Sequence, residues 1–254
     1  VLARRRETSI SPYTTPEQKE RDSLSFSVDN VFSFLYNVLM QNILFDLDGT
    51  LIDSAPGIKH SAIKTLKEMK LPLIPYEDLD FFIGPPLSDC FRLCNVPEDR
   101  ILEAISVFRK FYEQGEQLNC SFYPGIKECL ISLKKRGYHL FVCTSKAEYF
   151  AVNILENFGF ASYFDHIYGS SLDSSLSLKK DIIALCLSRH GKEALMVGDT
   201  YLDIIGANEN HIPSIGVTWG YGEKGKMIQN HVSCLVDNTE ELLEKISCIL
   251  PCHS

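Results

Sequence analysis

Two aspartates separated by one residue stand at the end of a predicted strand, Ile43 to Leu47. This apolar stretch is typical of a buried strand in a parallel sheet, and its period of two puts Asp46 and Asp48 on the same side. Gly49 then lets the backbone turn at once. Two like charges are stable there only if a cation lies between them or one carboxyl keeps a proton. The stretch therefore indicates a Mg²⁺ site or an acid–base pair, with a strand and a solvated turn as the alternative.

Further polar residues follow later predicted strands. Thr144 and Ser145 follow one strand, Asp199 follows another, and Asp203 comes one helical turn later. Lys179 lies in a loop just before a helix. In an open parallel sheet, ligands bind beyond the carboxyl ends of the strands. Carboxylates for a hard cation, hydroxyls and amides for an anion, and one ammonium together indicate phosphoryl chemistry on Mg²⁺.

Each of these residues also has a purely structural alternative. Thr144 and Ser145 could cap the helix that follows them, and Lys179 could be a solvated lysine. Asp199 and Asp203 could be a helix cap and an exposed acid of the first turn. The catalytic interpretation is favoured because all these alternatives would have to hold together, at consecutive strand ends.

The pattern of elements predicts what positions these residues. In the second half of the chain strands and helices alternate, which favours an α/β fold with a doubly wound parallel sheet. The core is predicted over 40–57 and 122–254, and its stretch 51–57 is predicted as a loop. Apolar residues at helical spacing over 58–121 predict an α-helical cap inserted after the first strand. Residues 1–39 are polar over most of their length and are predicted as a disordered or dispensable N-terminal extension.

Composition limits the class of protein. The 254 residues are 45% apolar and 23% charged, with a net charge of −8. This charge argues against a nucleic-acid polymer as partner, which would need a basic face. The apolar stretch 31–40 is shorter than the roughly 20 residues of a membrane span, so no membrane partner is expected. Nine cysteines without paired spacing indicate reduced thiols and a cytoplasmic protein.

In these motifs the chain resembles the haloacid dehalogenase superfamily of phosphohydrolases, in the subgroup with a helical cap after the first strand. The resemblance covers the chain from about Gln41 to the last helix. The stretches 83–87, 203–207 and 216–222 are similar to the phosphoglycolate phosphatase and 5′-nucleotidase-like branch. The motifs that carry the resemblance are Asp46-Leu47-Asp48-Gly49-Thr50, Thr144-Ser145, Lys179, and Gly198-Asp199-Thr200 with Asp203.

The resemblance implies a role for each motif residue. Asp46 would be the nucleophile that forms an aspartyl-phosphate. Asp48 would protonate the leaving alkoxide and then take a proton from water. Thr144, Ser145 and Lys179 would bind the transferring oxygens. Mg²⁺ would be held by Asp46, the Asp48 backbone carbonyl, Asp199 and Asp203.

One departure from the family pattern leaves the motif lysine open. A serine-rich stretch, 170–177, precedes Lys179. Lys180 is therefore the alternative. Lys179 fits better because Asp181 then follows the lysine at the spacing of the family pattern.

The resemblance implies a small phosphomonoester as substrate, phosphoglycolate or a nucleoside monophosphate. The cap would set substrate choice, with Lys146, Arg92 and the loop at Gly84 as candidate contacts. Two alternatives stay open: a phosphotransferase of the β-phosphoglucomutase type, and a non-catalytic binding protein on the same scaffold. A monomer or a homodimer is expected.

Overall fold

The computed structural model describes residues 41–173 and 175–250, so the predicted extension 1–39 lies outside the described residues. Six strands form one parallel sheet and two short strands form a separate antiparallel pair. The strands are β1 (Asn42–Phe45), β2 (Ile52–Asp53), β3 (Ser121–Phe122), β4 (His139–Ala147), β5 (His166–Ser170), β6 (Ala194–Gly198), β7 (Ser214–Val217) and β8 (Cys234–Val236).

Helices connect these strands, and none of them within the described residues has the length and apolar character needed to cross a membrane. Short 3₁₀ turns also occur, mostly between β2 and β3. The α-helices are α1 (Ala55–Glu68), α2 (Leu87–Leu93), α3 (Ile101–Glu113), α4 (Ile126–Lys135), α5 (Glu148–Asn157), α6 (Lys179–His190), α7 (Tyr201–Glu209), α8 (Lys224–Gln229) and α9 (Thr239–Ile249).

The central strand β1 decides where the site forms. The order of the large sheet is β5–β4–β1–β6–β7–β8, and Phe45 of β1 is level with Val142 in β4 and Val197 in β6. The chain builds β4 and β5 on one side of β1 and then β6 to β8 on the other, so the strand order reverses at β1. Such a switch point, beyond the carboxyl ends of the strands, is where ligands bind in folds of this kind.

Both faces of the sheet are buried. Along β1, Ile43 and Phe45 belong to one hydrophobic cluster and Leu44 to another, as the period of two requires. The first cluster includes residues of α4, α5 and α9, and the second includes residues of α6 and α7. Helices therefore cover both faces, and the predicted doubly wound α/β fold is confirmed.

The segment between β2 and β3 is helical and packs around its own hydrophobic cluster. Aromatic rings form the centre of this cluster: the ring centroid of Phe82 is 5.2 Å from that of Phe91 and 6.3 Å from that of Phe108. Phe150 of α5 joins it from outside the segment, with its centroid 5.1 Å from that of Tyr112. An inserted cap would need a hydrophobic cluster of its own, and this segment has one. The division of the chain into core and cap stays a prediction.

The predicted loop over 51–57 is wrong. β2 lies within this stretch, and α1 begins at Ala55. Pro56 is compatible with the helix because it stands in the first turn, where its missing N–H would have no intrahelical partner. The N–H of Gly57 donates to the carbonyl oxygen of Asn119 at 3.0 Å, which ties the start of the helical segment to its end.

A substitution at Leu133 tests the assignment of α4 to the core. Leu133 is completely buried, so we expect Leu133→Ala to lower the free energy of unfolding by about 2–5 kcal/mol through lost burial and a residual cavity. The matched control is Leu102→Ala in α3, because Leu102 is 80% exposed and its replacement is expected to change stability by less than about 0.5 kcal/mol. Urea unfolding followed by circular dichroism measures both, and equal effects would contradict the assignment.

Candidate active site

Three aspartates meet beyond the carboxyl ends of β1 and β6. Asp46 follows β1, Asp199 follows β6, and Asp203 lies in the first turn of α7. Their carboxylates offer three oxygen atoms that all lie within 4.8 Å of one another. Asp46 is 7% exposed and the other two are fully buried. The structure thus brings together three of the four predicted metal ligands by their side chains.

The sheet register and a glycine turn hold Asp46. Its N–H donates to the carbonyl oxygen of Val197 at 2.9 Å, which extends the pairing with β6 by one residue. Gly49 has a φ of 81°, and its N–H donates to the carbonyl oxygen of Ile52 at 2.8 Å. A Cβ at Gly49 would collide with the Asp199 carboxylate. Glycine is therefore needed here both for its conformation and for space.

Hydrogen bonds fix both oxygens of Asp199. Oδ1 accepts from the Thr50 hydroxyl at 3.3 Å, and Oδ2 accepts from the Tyr221 N–H at 2.8 Å. Gly220 packs against the same carboxylate so closely that a Cβ would clash with it. Thr50 and Tyr221 are absent from the predicted site, although both lie in motifs that carry the family resemblance.

Asp203 caps a helix and also faces the cluster. Its Oδ2 accepts from the Thr200 N–H at 3.0 Å and from the Thr200 hydroxyl at 2.9 Å, as the acidic residue of a capping box does. Its Oδ1 is 2.8 Å from Lys179 Nζ. The structural alternative of an exposed acid in the first turn is therefore wrong for Asp203, which is fully buried and combines a role in the capping box with a place in the cluster.

Lys179 is the ammonium in contact with this cluster. Its Nζ is 2.7 Å from Asp46 Oδ1 and 2.8 Å from Asp203 Oδ1, and it donates to the Cys143 carbonyl oxygen at 3.1 Å. Burial by itself lowers the pKa of Lys179, but the two carboxylates outweigh burial and raise it above the usual value. Lys180 is exposed and pairs with a surface glutamate at 3.4 Å. Of the two candidate lysines, the structure puts Lys179 among the aspartates.

Asp48 pairs with a lysine of β4 rather than with the acidic cluster. Lys146 Nζ is 2.9 Å from both carboxylate oxygens of Asp48. The prediction that Thr144 and Ser145 follow the strand is wrong, because β4 extends through them to Ala147 with a register shift against β5. This extension carries Lys146 into the site. Thr144 is buried there, and its Oγ1 accepts the Lys146 backbone N–H at 3.2 Å.

The acidic cluster carries more negative charge than Lys179 can balance. Burial, and then Asp203 and Asp46, raise the pKa of Asp199 to about 8. Burial raises the pKa of Asp46 to about 6, against the opposing effect of Lys179. A divalent cation between these carboxylates would relieve the repulsion, and hard oxygen ligands suit Mg²⁺. The residues present therefore fit a divalent metal ion.

Two predicted substrate contacts lie on the surface of the helical segment. Arg92 is exposed, and its guanidinium is 2.6 Å from Asp89 and 2.7 Å from Glu98. Gly84 is exposed with a φ of 102°, and a Cβ there would meet no atom within 4 Å. Their role in substrate binding stays a prediction. Ser145 is half-buried next to Thr144.

Comparison with known families agrees with this geometry. The model of the haloacid dehalogenase-like hydrolases matches residues 43–217. The chain belongs to this family. A 5′-nucleotidase from Pseudomonas aeruginosa is 37% identical over 190 residues, which is 73% of this chain and 86% of that protein. A phosphoglycolate phosphatase from Vibrio parahaemolyticus is 32% identical over 81% of this chain and 95% of that protein.

Two further relatives widen the comparison. The tyrosine-protein kinase PtkA from Mycobacterium tuberculosis is 38% identical to this chain. The match covers 72% of this chain and 63% of PtkA. The crystal structure of a predicted phosphatase from Clostridium acetobutylicum is 40% identical, with a TM-score of 0.77, and the match covers 82% of this chain and 98% of that one. The family match and the phosphatase names confirm the predicted enzyme class, a phosphatase of this family.

The raised pKa of Asp199 predicts how metal binding depends on pH. In the metal-free protein its folded-state pKa is about 8, above the value of about 3.9 for an unfolded Asp. The contribution of Asp199 to stability is therefore greatest at low pH and is lost as pH rises from about 4 to 8. Because Mg²⁺ must displace the proton, we expect millimolar Mg²⁺ to raise the melting temperature more at pH 8 than at pH 5.

Asp199→Asn is the control variant for this measurement. The amide oxygen can accept from the Tyr221 N–H and the amide nitrogen can donate to the Thr50 hydroxyl, while the charge is removed. We expect the metal-free variant to melt above the metal-free wild type at pH 8 and to lose the response to Mg²⁺. Equal Mg²⁺ responses at both pH values, or a response kept by the variant, would contradict the assignment of Asp199 as a metal ligand.

Proposed function

We propose that the protein is a Mg²⁺-dependent phosphatase that hydrolyses a small phosphomonoester through an aspartyl-phosphate on Asp46. The observation that carries the proposal is the buried cluster of three aspartates, with Lys179 in contact with Asp46 and Asp203. The family match and the names of two curated relatives support the reaction and the substrate class. The two candidate substrates are phosphoglycolate and a nucleoside monophosphate.

In the first step, an Asp46 oxygen attacks phosphorus and the bond from phosphorus to the ester oxygen breaks. A pKa of about 6 leaves Asp46 largely ionised at neutral pH, so it needs no base to activate it. Asp48 gives its proton to the leaving alkoxide, and the product is a neutral alcohol. Lys179, Thr144 and the Ser145 amide hold the transferring oxygens and stabilise the charge that develops on them.

In the second step, water attacks the phosphorus of the aspartyl-phosphate and the bond to Asp46 breaks. Asp48 accepts the proton from the water, and the products are inorganic phosphate and the free Asp46 carboxylate. Lys146 contacts both Asp48 oxygens at 2.9 Å and so helps to hold this carboxyl group in position.

Asp46, Asp199 and Asp203 would hold Mg²⁺, with the Asp48 backbone carbonyl as a further ligand. When bound, the ion reduces the repulsion between Asp46 and the anionic ester and stabilises the transferring group. A cytoplasmic location belongs to this proposal because the eight described cysteines are all free, as in a reducing compartment. A monomer or homodimer stays a prediction.

Hydrolysis of p-nitrophenyl phosphate with and without Mg²⁺ tests the reaction class. We expect Mg²⁺-dependent turnover in the wild type, and a loss on the order of 10³-fold or more in Asp46→Asn, because an amide cannot act as the nucleophile. Acid-quenched samples analysed by intact mass should contain a phosphate adduct in the wild type alone. A folded Asp46→Asn variant with wild-type turnover would exclude Asp46 as the nucleophile.

The two neighbouring lysines offer a matched pair of variants. Lys179→Met removes the ammonium that contacts Asp46, so we expect kcat/KM to fall by about 10²–10³-fold. Lys180→Met makes the same chemical change on the surface and should leave kcat/KM close to that of the wild type. Thermal unfolding verifies that both variants are folded. Similar losses in both variants would contradict the role given to Lys179.

A further inference from the structure

The segment 218–222, which follows β7, lies against Asp199 and the turn after β1. The Trp219 indole N–H donates to the Thr50 carbonyl oxygen at 3.1 Å, and the Tyr221 backbone N–H donates to Asp199 Oδ2 at 2.8 Å. The glycines on either side of Tyr221 approach Asp199 so closely that a Cβ on either would collide with it. The segment therefore forms a wall around Asp199, although it contains none of the four candidate metal ligands.

Side chains, rather than strand pairing, hold this segment in place. β7 ends at Val217, and the Thr218 N–H donates to the Val236 carbonyl oxygen at 3.0 Å. Beyond this point, and within the described residues, the backbone of 219–222 makes no hydrogen bond to another backbone group. The sheet therefore cannot fix the direction of the Tyr221 N–H.

The Tyr221 hydroxyl anchors the segment from its far side. It donates to Asp53 Oδ1 at 2.6 Å and accepts from the N–H groups of Ser54 and Ala55 at 2.8 and 3.0 Å. A phenol hydroxyl has one proton to donate and accepts through its lone pairs, so these three bonds use its full capacity. Asp53 ends β2 and Ala55 begins α1, so the anchor point is the start of the helical segment.

This anchor reaches Asp199 because the phenol and the backbone N–H belong to the same residue. While the ring is held at its hydroxyl, the N–H of Tyr221 keeps its direction toward Asp199 Oδ2. This bond, at 2.8 Å, is the shorter of the two that orient the carboxylate, since the bond from the Thr50 hydroxyl is 3.3 Å long. Groups that orient a metal ligand typically change metal affinity or activity by roughly 10–100-fold when they are removed.

We propose that the Tyr221 hydroxyl, held by Asp53 and the start of α1, is a positioning group that keeps Asp199 in the orientation that binds the metal ion. Tyr221 contacts neither the ion nor the substrate in this role and acts through its own backbone N–H. The inference rests on the proposed function, because Asp199 must be a ligand of the ion there.

Binding of Mn²⁺ to Tyr221→Phe tests the inference. Mn²⁺ suits the same carboxylate oxygens as Mg²⁺, and the electron paramagnetic resonance signal of the free ion gives the Kd without any turnover. Phenylalanine keeps the ring and the backbone N–H and removes only the anchor, so we expect the Kd to rise by about tenfold. Tyr149→Phe removes a hydroxyl from an exposed tyrosine of α5 and should keep the wild-type Kd.

A second pair of variants changes the other end of the anchor. Asp53→Ala removes the oxygen that accepts from the Tyr221 hydroxyl, while Asp53→Asn removes the same charge and keeps an oxygen acceptor. We therefore expect Asp53→Ala to lose more affinity for Mn²⁺ than Asp53→Asn loses.

Thermal unfolding verifies that each variant is folded at the temperature of the titration. A lower melting temperature with an unchanged Kd in Tyr221→Phe is the result of a purely structural role, which overturns the inference and leaves the phosphatase proposal standing. If Tyr221→Phe does not fold, equal Kd values in Asp53→Ala and Asp53→Asn overturn the inference. A wild type that neither binds Mn²⁺ nor hydrolyses p-nitrophenyl phosphate overturns both proposals.

Discussion

Repulsion among buried carboxylates is the constraint on which this site depends. Asp46, Asp199 and Asp203 offer oxygen atoms within 4.8 Å of one another where solvent hardly reaches, and like charges repel far more strongly there than in water. Lys179 offsets part of this repulsion through contacts with two of the carboxylates. Burial, and then the repulsion by Asp203 and Asp46, raise the pKa of Asp199, so part of the repulsion remains. A cation that binds here therefore gains the repulsion energy that folding has left in place.

The sheet is what forces these charges together. Phe45 and Val197 are paired in register, so the residues that follow them leave the sheet side by side. The Cys143 carbonyl, which accepts from Lys179, comes from the strand on the other side of β1. A slip of one residue would turn each side chain to the opposite face. The buried apolar strands thus fix the register, and the register fixes the distances between the charges.

Sequence reasoning could find residues that stand at strand ends, because position along a strand is a local property. Asp46, Asp48 and Asp199 could be found in this way. The place of Tyr112 could not be found, since in the sequence it is one more member of an apolar helix face, and only tertiary packing brings its ring centroid to 5.0 Å from Lys146 Nζ. Arg92 was singled out as a substrate contact, but in the structure it pairs with two nearby acids on the surface. This pairing could not be predicted because it depends on how the helical segment folds. The predicted loop over 51–57 is wrong at its end because proline, here Pro56, also suits a first helical turn.

Tyr221 links the chemistry to the entry of the helical segment. Its N–H donates to Asp199 at 2.8 Å, while its hydroxyl donates to Asp53 at 2.6 Å and accepts from the Ser54 N–H at 2.8 Å. The ring also packs against the cluster of the helical segment. Tyr221 therefore positions a carboxylate of the candidate metal site through its backbone N–H, and it positions the start of α1 through its side chain. If substrate choice depends on the helical segment and phosphoryl chemistry on Asp199, as proposed, the hydrogen bonds of Tyr221 link the two.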